Sequence, residues 1–175
     1  MNAIFKIISL LDTINRSVGR FFAWLILFMI GGTFLSVFLR YVMGEDVIWL
    51  QELVIYAHGI LFVITAGYTL LHDDHVRVDI LYREFSPVRK ALVNLVGTLI
   101  LLVPWCLLLL NDTFFYVYDS WMLLEGSSMA GGLPFQYLFK TFMLSMPAFL
   151  LLQGIAQALR AYLILKDIEP PAEKT

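Results

Sequence analysis

Apolar residues run almost unbroken through four stretches, Phe21–Val42, Trp49–Leu71, Ala91–Leu110 and Tyr137–Leu163. About twenty apolar residues in a helix cross a ~30 Å hydrocarbon layer. The bilayer core offers the backbone no partners, so each stretch must close its own hydrogen bonds as a helix. The pattern predicts an all-α integral membrane protein with four transmembrane helices. Ahead of them, Ile4, Ile7, Leu11, Ile14 and Val18 recur at helical spacing, while Lys6, Asp12, Asn15, Arg16 and Ser17 take the other positions. This predicts an N-terminal amphipathic segment lying on the membrane surface; a cytoplasmic extension of the first helix fits the same pattern. A cleaved signal peptide fits poorly, since the long span starts only after Arg20 and no small-residue cleavage site precedes it.

Helix two ends in the densest polar cluster of the chain, His72-Asp73-Asp74-His75-Val76-Arg77-Val78-Asp79. A short cytoplasmic amphipathic segment, Ile80–Phe85, follows between helices two and three, and Ser86-Pro87 restarts the chain into helix three, where the missing N–H of proline costs least. Helix three is expected to continue to about Tyr118, with Tyr116, Tyr118, Trp121 and Tyr137 forming an aromatic belt. Pro147 is expected to kink helix four. The chain thus divides into an amphipathic segment over 1–20, a four-helix domain over 21–165 and a tail over 166–175.

Composition agrees with this division: 60% of residues are hydrophobic, against roughly 45–50% in soluble domains. The distribution of the twelve Lys and Arg residues adds an orientation. Lys6, Arg16, Arg20, Arg77, Arg83, Arg89, Lys90, Arg160, Lys166 and Lys174 fall on one side, and only Arg40 and Lys140 on the other. By the positive-inside rule both termini and the 71–90 connection are predicted to be cytoplasmic. No basic patch interleaves with aromatics, so nucleic acid is not an expected partner. The single cysteine, Cys106, reads as a small buried apolar side chain.

Candidate chemistry is sparse. His58 stands alone within helix two, where it reads as a hydrogen-bonded packing residue. A membrane haem would require a second histidine on a facing helix, and no other span has one. His72, Asp73, Asp74 and His75 include metal-ligand types but lack further ligands at motif spacing; a solvated helix end is the alternative. Glu52, beside Gln51 at the start of helix two, is placed to pair with Arg40 across the short turn. Gly32 with Ser36, and Gly154 with Ala158, are small pairs that permit close helix approach, here assigned to a partner. There is no nucleophile–base pair, Walker loop or dinucleotide motif, so no enzymatic activity is expected.

Several pieces carry a family resemblance: Trp49-Leu50-Gln51-Glu52, Gly67-Tyr68-Thr69-Leu70, His75-Val76-Arg77-Val78-Asp79, Pro104 and Gly131-Gly132-Leu133-Pro134. On these the chain resembles the small membrane subunit, DctQ-like, of tripartite ATP-independent periplasmic (TRAP) transporters. It departs at Gln51, where the family often has a second acid beside the one at Glu52. The resemblance implies a multi-pass protein of the bacterial inner membrane that scaffolds a large multi-span permease subunit. It implies sodium and substrate sites on that large subunit, no cofactor in this chain, and a periplasmic binding protein delivering an organic acid of C4-dicarboxylate or sialic acid type. Glu45, Asp46, Glu125 and Ser127 become docking candidates for that protein. Arg40, Trp49, Gln51, Glu52, His75, Arg77 and Asp79 become structural or interface candidates, alongside contacts with membrane lipids. Two other classes stand beside this one. A haem-bearing membrane anchor of a respiratory oxidoreductase would show a Soret band, and a free-standing small transporter would support uptake alone.

Overall fold

The computed structural model describes residues 2–75 and 82–168. The order of α-helices is α1 Asn2–Ala23, α2 Leu25–Phe38, α3 Ile48–Ile64, α4 Ala66–Leu71, α5 Pro87–Gly97, α6 Val103–Met122, α7 Gln136–Thr141 and α8 Ser145–Leu165. They join into four runs long and apolar enough to cross a membrane: Ala3–Met43, Ile48–Leu71, Pro87–Met122 and Gln136–Leu165. The protein is therefore an all-α membrane protein with four spans, as the apolar pattern predicts.

Several interruptions within the runs have a local cause. Thr65 Oγ1 donates to Leu61 O at 2.7 Å where α3 gives way to α4, a back-bond of the kind that bends helices. Pro104 has no N–H to give, and the turn before it, Thr98–Leu102, is widened to π-type bonding, with Val103 N–H on Thr98 O. Pro147 follows a tightened 3₁₀ turn at Phe142–Leu144, so its effect on span four is a change of helix type just before it. Span one ends in another widened turn, Leu39–Met43, closed by Gly44 at φ 71°. That left-handed conformation suits glycine. Pro87 opens α5, and Ser86 Oγ accepts the Arg89 N–H at 3.4 Å.

Helix α8 is the axis of the bundle, packed against α1, α3, α4, α5 and α6. Pro147, Leu150, Gln153, Gly154, Ala156, Ala161 and Leu163 are its buried positions. Cys106 is fully buried in a cluster with Ala66 and Leu150, the packing role expected of it. The small residues do their work inside the chain. A Cβ on Gly32 would lie 2.7 Å from Val54 Cγ2, and one on Gly154 would lie 2.5 Å from Leu102 Cδ2. These two glycines bring α2 onto α3 and α8 onto the turn between α5 and α6. The expectation that they face a partner is corrected by this close approach, and Ser36 and Ala158 are half-buried beside them.

The N-terminal helix continues the first span, the second of the two arrangements that the pattern allowed. It runs almost without a break into α2, and its buried residues are Ile8, Asp12, Asn15 and Gly19, while Ile7 and Leu10 are exposed. Two of its polar positions, Asp12 and Asn15, are turned against the rest of the bundle, where α1 packs on α8 and α4, while Lys6 and Ser17 stay exposed. Asp12 and Asn15 find partners on α8, and the apolar Ile8 is buried with them. Between spans two and three, Tyr82–Phe85 form one turn, and Tyr82 Oη donates to Asn94 Oδ1 at 3.1 Å. Ile80 and Leu81 of the expected amphipathic segment, and the 169–175 part of the tail, lie outside the described residues.

Candidate functional site

At the end of the bundle bearing the 44–47 turn and the 123–135 connection, helix-borne charges organise the loops. Glu52, on the first turns of α3, accepts the Leu133 N–H at 2.6 Å and the Ser127 hydroxyl. Ser127 N–H in turn donates to Leu133 O at 2.8 Å, and Met129 N–H to Ser127 Oγ at 3.0 Å. A Cβ on Gly132 would lie 2.4 Å from Ser127 Oγ and 2.7 Å from Glu52 Oε2. The loop therefore closes around one carboxylate only because position 132 has no side chain.

A second carboxylate ties the loop's start to span four. Glu125 accepts from Lys140 Nζ at 2.5 Å and from Ser120 Oγ at 2.6 Å. Lys140 is 7% exposed and its ammonium lies 4.1 Å from the centre of the Tyr116 ring. A buried lysine needs this company, since an isolated ammonium resists transfer from water. Trp121 Nε1 donates to Thr141 Oγ1 at 2.9 Å and meets the Tyr137 ring edge-on. Tyr56 and Phe139 stack at 4.3 Å, against Gly59, where a Cβ would be 2.7 Å from Phe139 Cζ.

The Lys140 hydrogen bond, then that of Ser120, holds the Glu125 carboxyl below its ordinary value of 4.5. A depressed carboxylate stabilises the fold above its unfolded value, and that contribution is lost as pH falls through the folded one. The loop is thus expected to gain protease sensitivity as pH drops below 4.5. Limited proteolysis across that range checks this, with Glu125→Gln expected to be cut faster than wild type at neutral pH and to gain less as pH falls.

The short turn is pinned separately. Arg40 reaches both Asp46 oxygens at 2.6 and 2.7 Å, and Gln51 Nε2 donates to Asp46 Oδ1 at 2.5 Å. The Arg40 hydrogen bond keeps the Asp46 carboxyl below the usual range. This corrects the expected Arg40–Glu52 pair: the turn folds Asp46 back onto Arg40 and leaves Glu52 for the other loop. Of the docking candidates, Asp46 is engaged by Arg40, Glu125 by Lys140 and Ser127 by Glu52, while Glu45 is exposed. Trp49 is exposed.

At the opposite end the sequence reading missed a buried polar cluster. Asn15 Nδ2 donates to Gln153 Oε1 at 2.9 Å, Gln153 Nε2 to Asp12 Oδ1 at 3.2 Å, and Arg160 pairs with Asp12. Gln153 and Arg160, seven apart on a helix, share a face, as do Asp12 and Asn15 three apart. That spacing was legible, but nothing in it says that the two faces meet. The four residues border a cavity of about 380 Å³ through Gln153 and Arg160, with Lys90, Asn94 and Gln157 on its other walls. Nearby, Asp73 takes φ 60° and His72 Nδ1 lies 2.9 Å from Tyr68 O. His75 is exposed; Arg77 and Asp79 lie outside the described residues.

His58 is not the packed histidine expected. It is exposed in the middle of span two. Among the described residues, no three His, Cys, Asp or Glu side chains converge as a metal site would require.

The site thus consists of polar networks that fix loops and helices to one another, on a small four-span membrane subunit. The family model described as "Tripartite ATP-independent periplasmic transporters, DctQ component" matches residues 29–163. The chain belongs to that family and is the small membrane component of a TRAP transporter. The match begins after α1. No curated protein and no solved structure matches it.

Proposed function

We propose that the chain is the scaffold subunit of a sodium-coupled TRAP transporter in the bacterial inner membrane, bracing a large permease subunit that holds the substrate and sodium sites. The family match over 29–163 carries this reading. The networks support it: Glu52, Glu125, Lys140, Asp12 and Arg160 each engage another part of the chain. Broad apolar faces on spans one and three, with Phe34 71% and Leu101 70% exposed, suit a lipid and protein environment. The cargo is an organic acid of C4-dicarboxylate or sialic acid type. The ten-to-two split of Lys and Arg supports cytoplasmic termini. The 123–135 loop and Glu45 then face the periplasm, where they help receive the binding protein. Single cysteines at Ser86 and Ser127, in a Cys106→Ala background, should label from opposite sides.

Reconstitution tests the whole. With the large subunit, the binding protein and an inward sodium gradient, liposomes should take up the labelled acid. Omitting this chain should remove most uptake, and the chain alone should support none. Unchanged uptake without it, or uptake by it alone, would overturn the scaffold role.

A further inference from the structure

Span two presents two different stripes to its surroundings. Leu53, Ala57 and Ile60 recur at helical spacing and line an apolar groove with Leu25, Phe28 and Phe142. Acyl chains satisfy such a surface. Ile55, His58 and Phe62 recur at the same spacing on another stripe, with Ile55 61% and Phe62 66% exposed and His58 exposed between them. His58 lies ten residues after Ile48 in a 24-residue run. At 1.5 Å per residue that is about 15 Å from one end, near mid-span.

A neutral imidazole carries one N–H donor and one acceptor nitrogen. Hydrocarbon satisfies neither, and leaving such groups unpaired costs free energy. Ionisable side chains within spans accordingly face other protein or water-filled space, not lipid. The side chain is too short to reach either interface from mid-span, and among the described residues it has no hydrogen-bond partner. Its polarity marks this stripe, unlike the groove, as a surface that protein covers.

We propose that the Ile55–His58–Phe62 stripe is the face of span two that meets the large permease subunit, with His58 hydrogen-bonded to a polar group on one of its helices. This rests on the scaffold reading above, since it names the surface through which bracing occurs. Ile55 and Phe62 supply apolar anchors on either side, and His58 sets the register by requiring a complementary group at its own depth. Interhelical hydrogen bonds in membranes contribute modestly. Loss of this one should weaken association about three- to tenfold without unfolding the chain, because the imidazole bonds to nothing described within it.

The test uses the chain co-expressed with the large subunit of its own transporter. In a mild detergent, His58→Leu should retain about three- to tenfold less large subunit than wild type, at equal membrane level and thermal stability of the chain. His58→Gln, which keeps a donor and an acceptor, should recover much of the loss. A photo-crosslinker at Ile55 or Phe62 should capture the large subunit, and one at Ile60 in the groove should not. If wild type retains the large subunit and His58→Leu retains it equally, the assignment of this face falls while the scaffold reading stands. Crosslinks only to lipid, or only to a second copy of this chain, overturn the assignment as well. If wild type itself retains no large subunit, the scaffold reading fails first.

Discussion

Glu52→Ala is expected to release the 123–135 connection from span two. The carboxylate accepts the Leu133 N–H and the Ser127 hydroxyl, and Leu133 is a buried residue. Hydrogen bonds to charged groups contribute about 1.5–3 kcal/mol each, and a buried donor left without a partner adds its own desolvation cost. Partial exposure of the site lowers the sum, so a loss of about 2–4 kcal/mol from the loop's closed state is the expected scale. The Leu133 amide should exchange its hydrogen roughly 30- to 1000-fold faster on that scale, and a protease cutting after large apolar residues should enter the loop. Glu52→Gln, which retains one acceptor, should fall between the two. Wild-type exchange at Leu133 in Glu52→Ala would show that the loop holds itself. Because Lys140 holds the Glu125 carboxylate and Tyr137 N–H donates to the Glu125 backbone carbonyl, the loop's start should stay attached in this variant. Any docking surface at this end is then altered in shape before it is altered in charge.

The second large effect lies at the other end. Asp12→Ala removes the partner of Arg160 and an acceptor of Gln153. Breaking a buried pair on one side costs about 3–5 kcal/mol. Since the Arg160 side chain is 29% exposed, about 2–3 kcal/mol is the expected loss, read as a fall in unfolding temperature in detergent. Replacing both partners, Asp12→Leu with Arg160→Met, should cost less than Asp12→Ala, because no charge is stranded. A double replacement as damaging as the single one would place the effect in packing. Gly67→Ala tests the same contact sterically. Its Cβ would sit 2.2 Å from Asn15 Oδ1 and 2.8 Å from the Phe149 carbonyl oxygen, while Gly31→Ala meets nothing within 4 Å. The first should therefore detach α1 and the second should be silent. The Phe149 oxygen belongs to the backbone of α8, so moving the Asn15 side chain alone cannot relieve the clash.

Residue patterns alone determined the four spans, because hydrocarbon requires a continuous helical backbone and about twenty apolar residues. They also placed Pro87 at a helix start and Cys106 in the packed interior, both consequences of single-residue chemistry. The motifs around Glu52 and His75 pointed to the family whose model matches residues 29–163. Tertiary structure alone decided which polar groups meet. Arg40 chose Asp46 over Glu52, Glu52 crossed to Leu133, and Lys140 reached back to Glu125. The same holds for the burial of Asp12 and Asn15 of α1 and for the inward use of Gly32 and Gly154. The reason is physical: span formation is a local contest between backbone and lipid, readable window by window. A hydrogen bond between residues 81 or 138 positions apart depends on how whole helices pack, and that leaves no periodic trace in the chain.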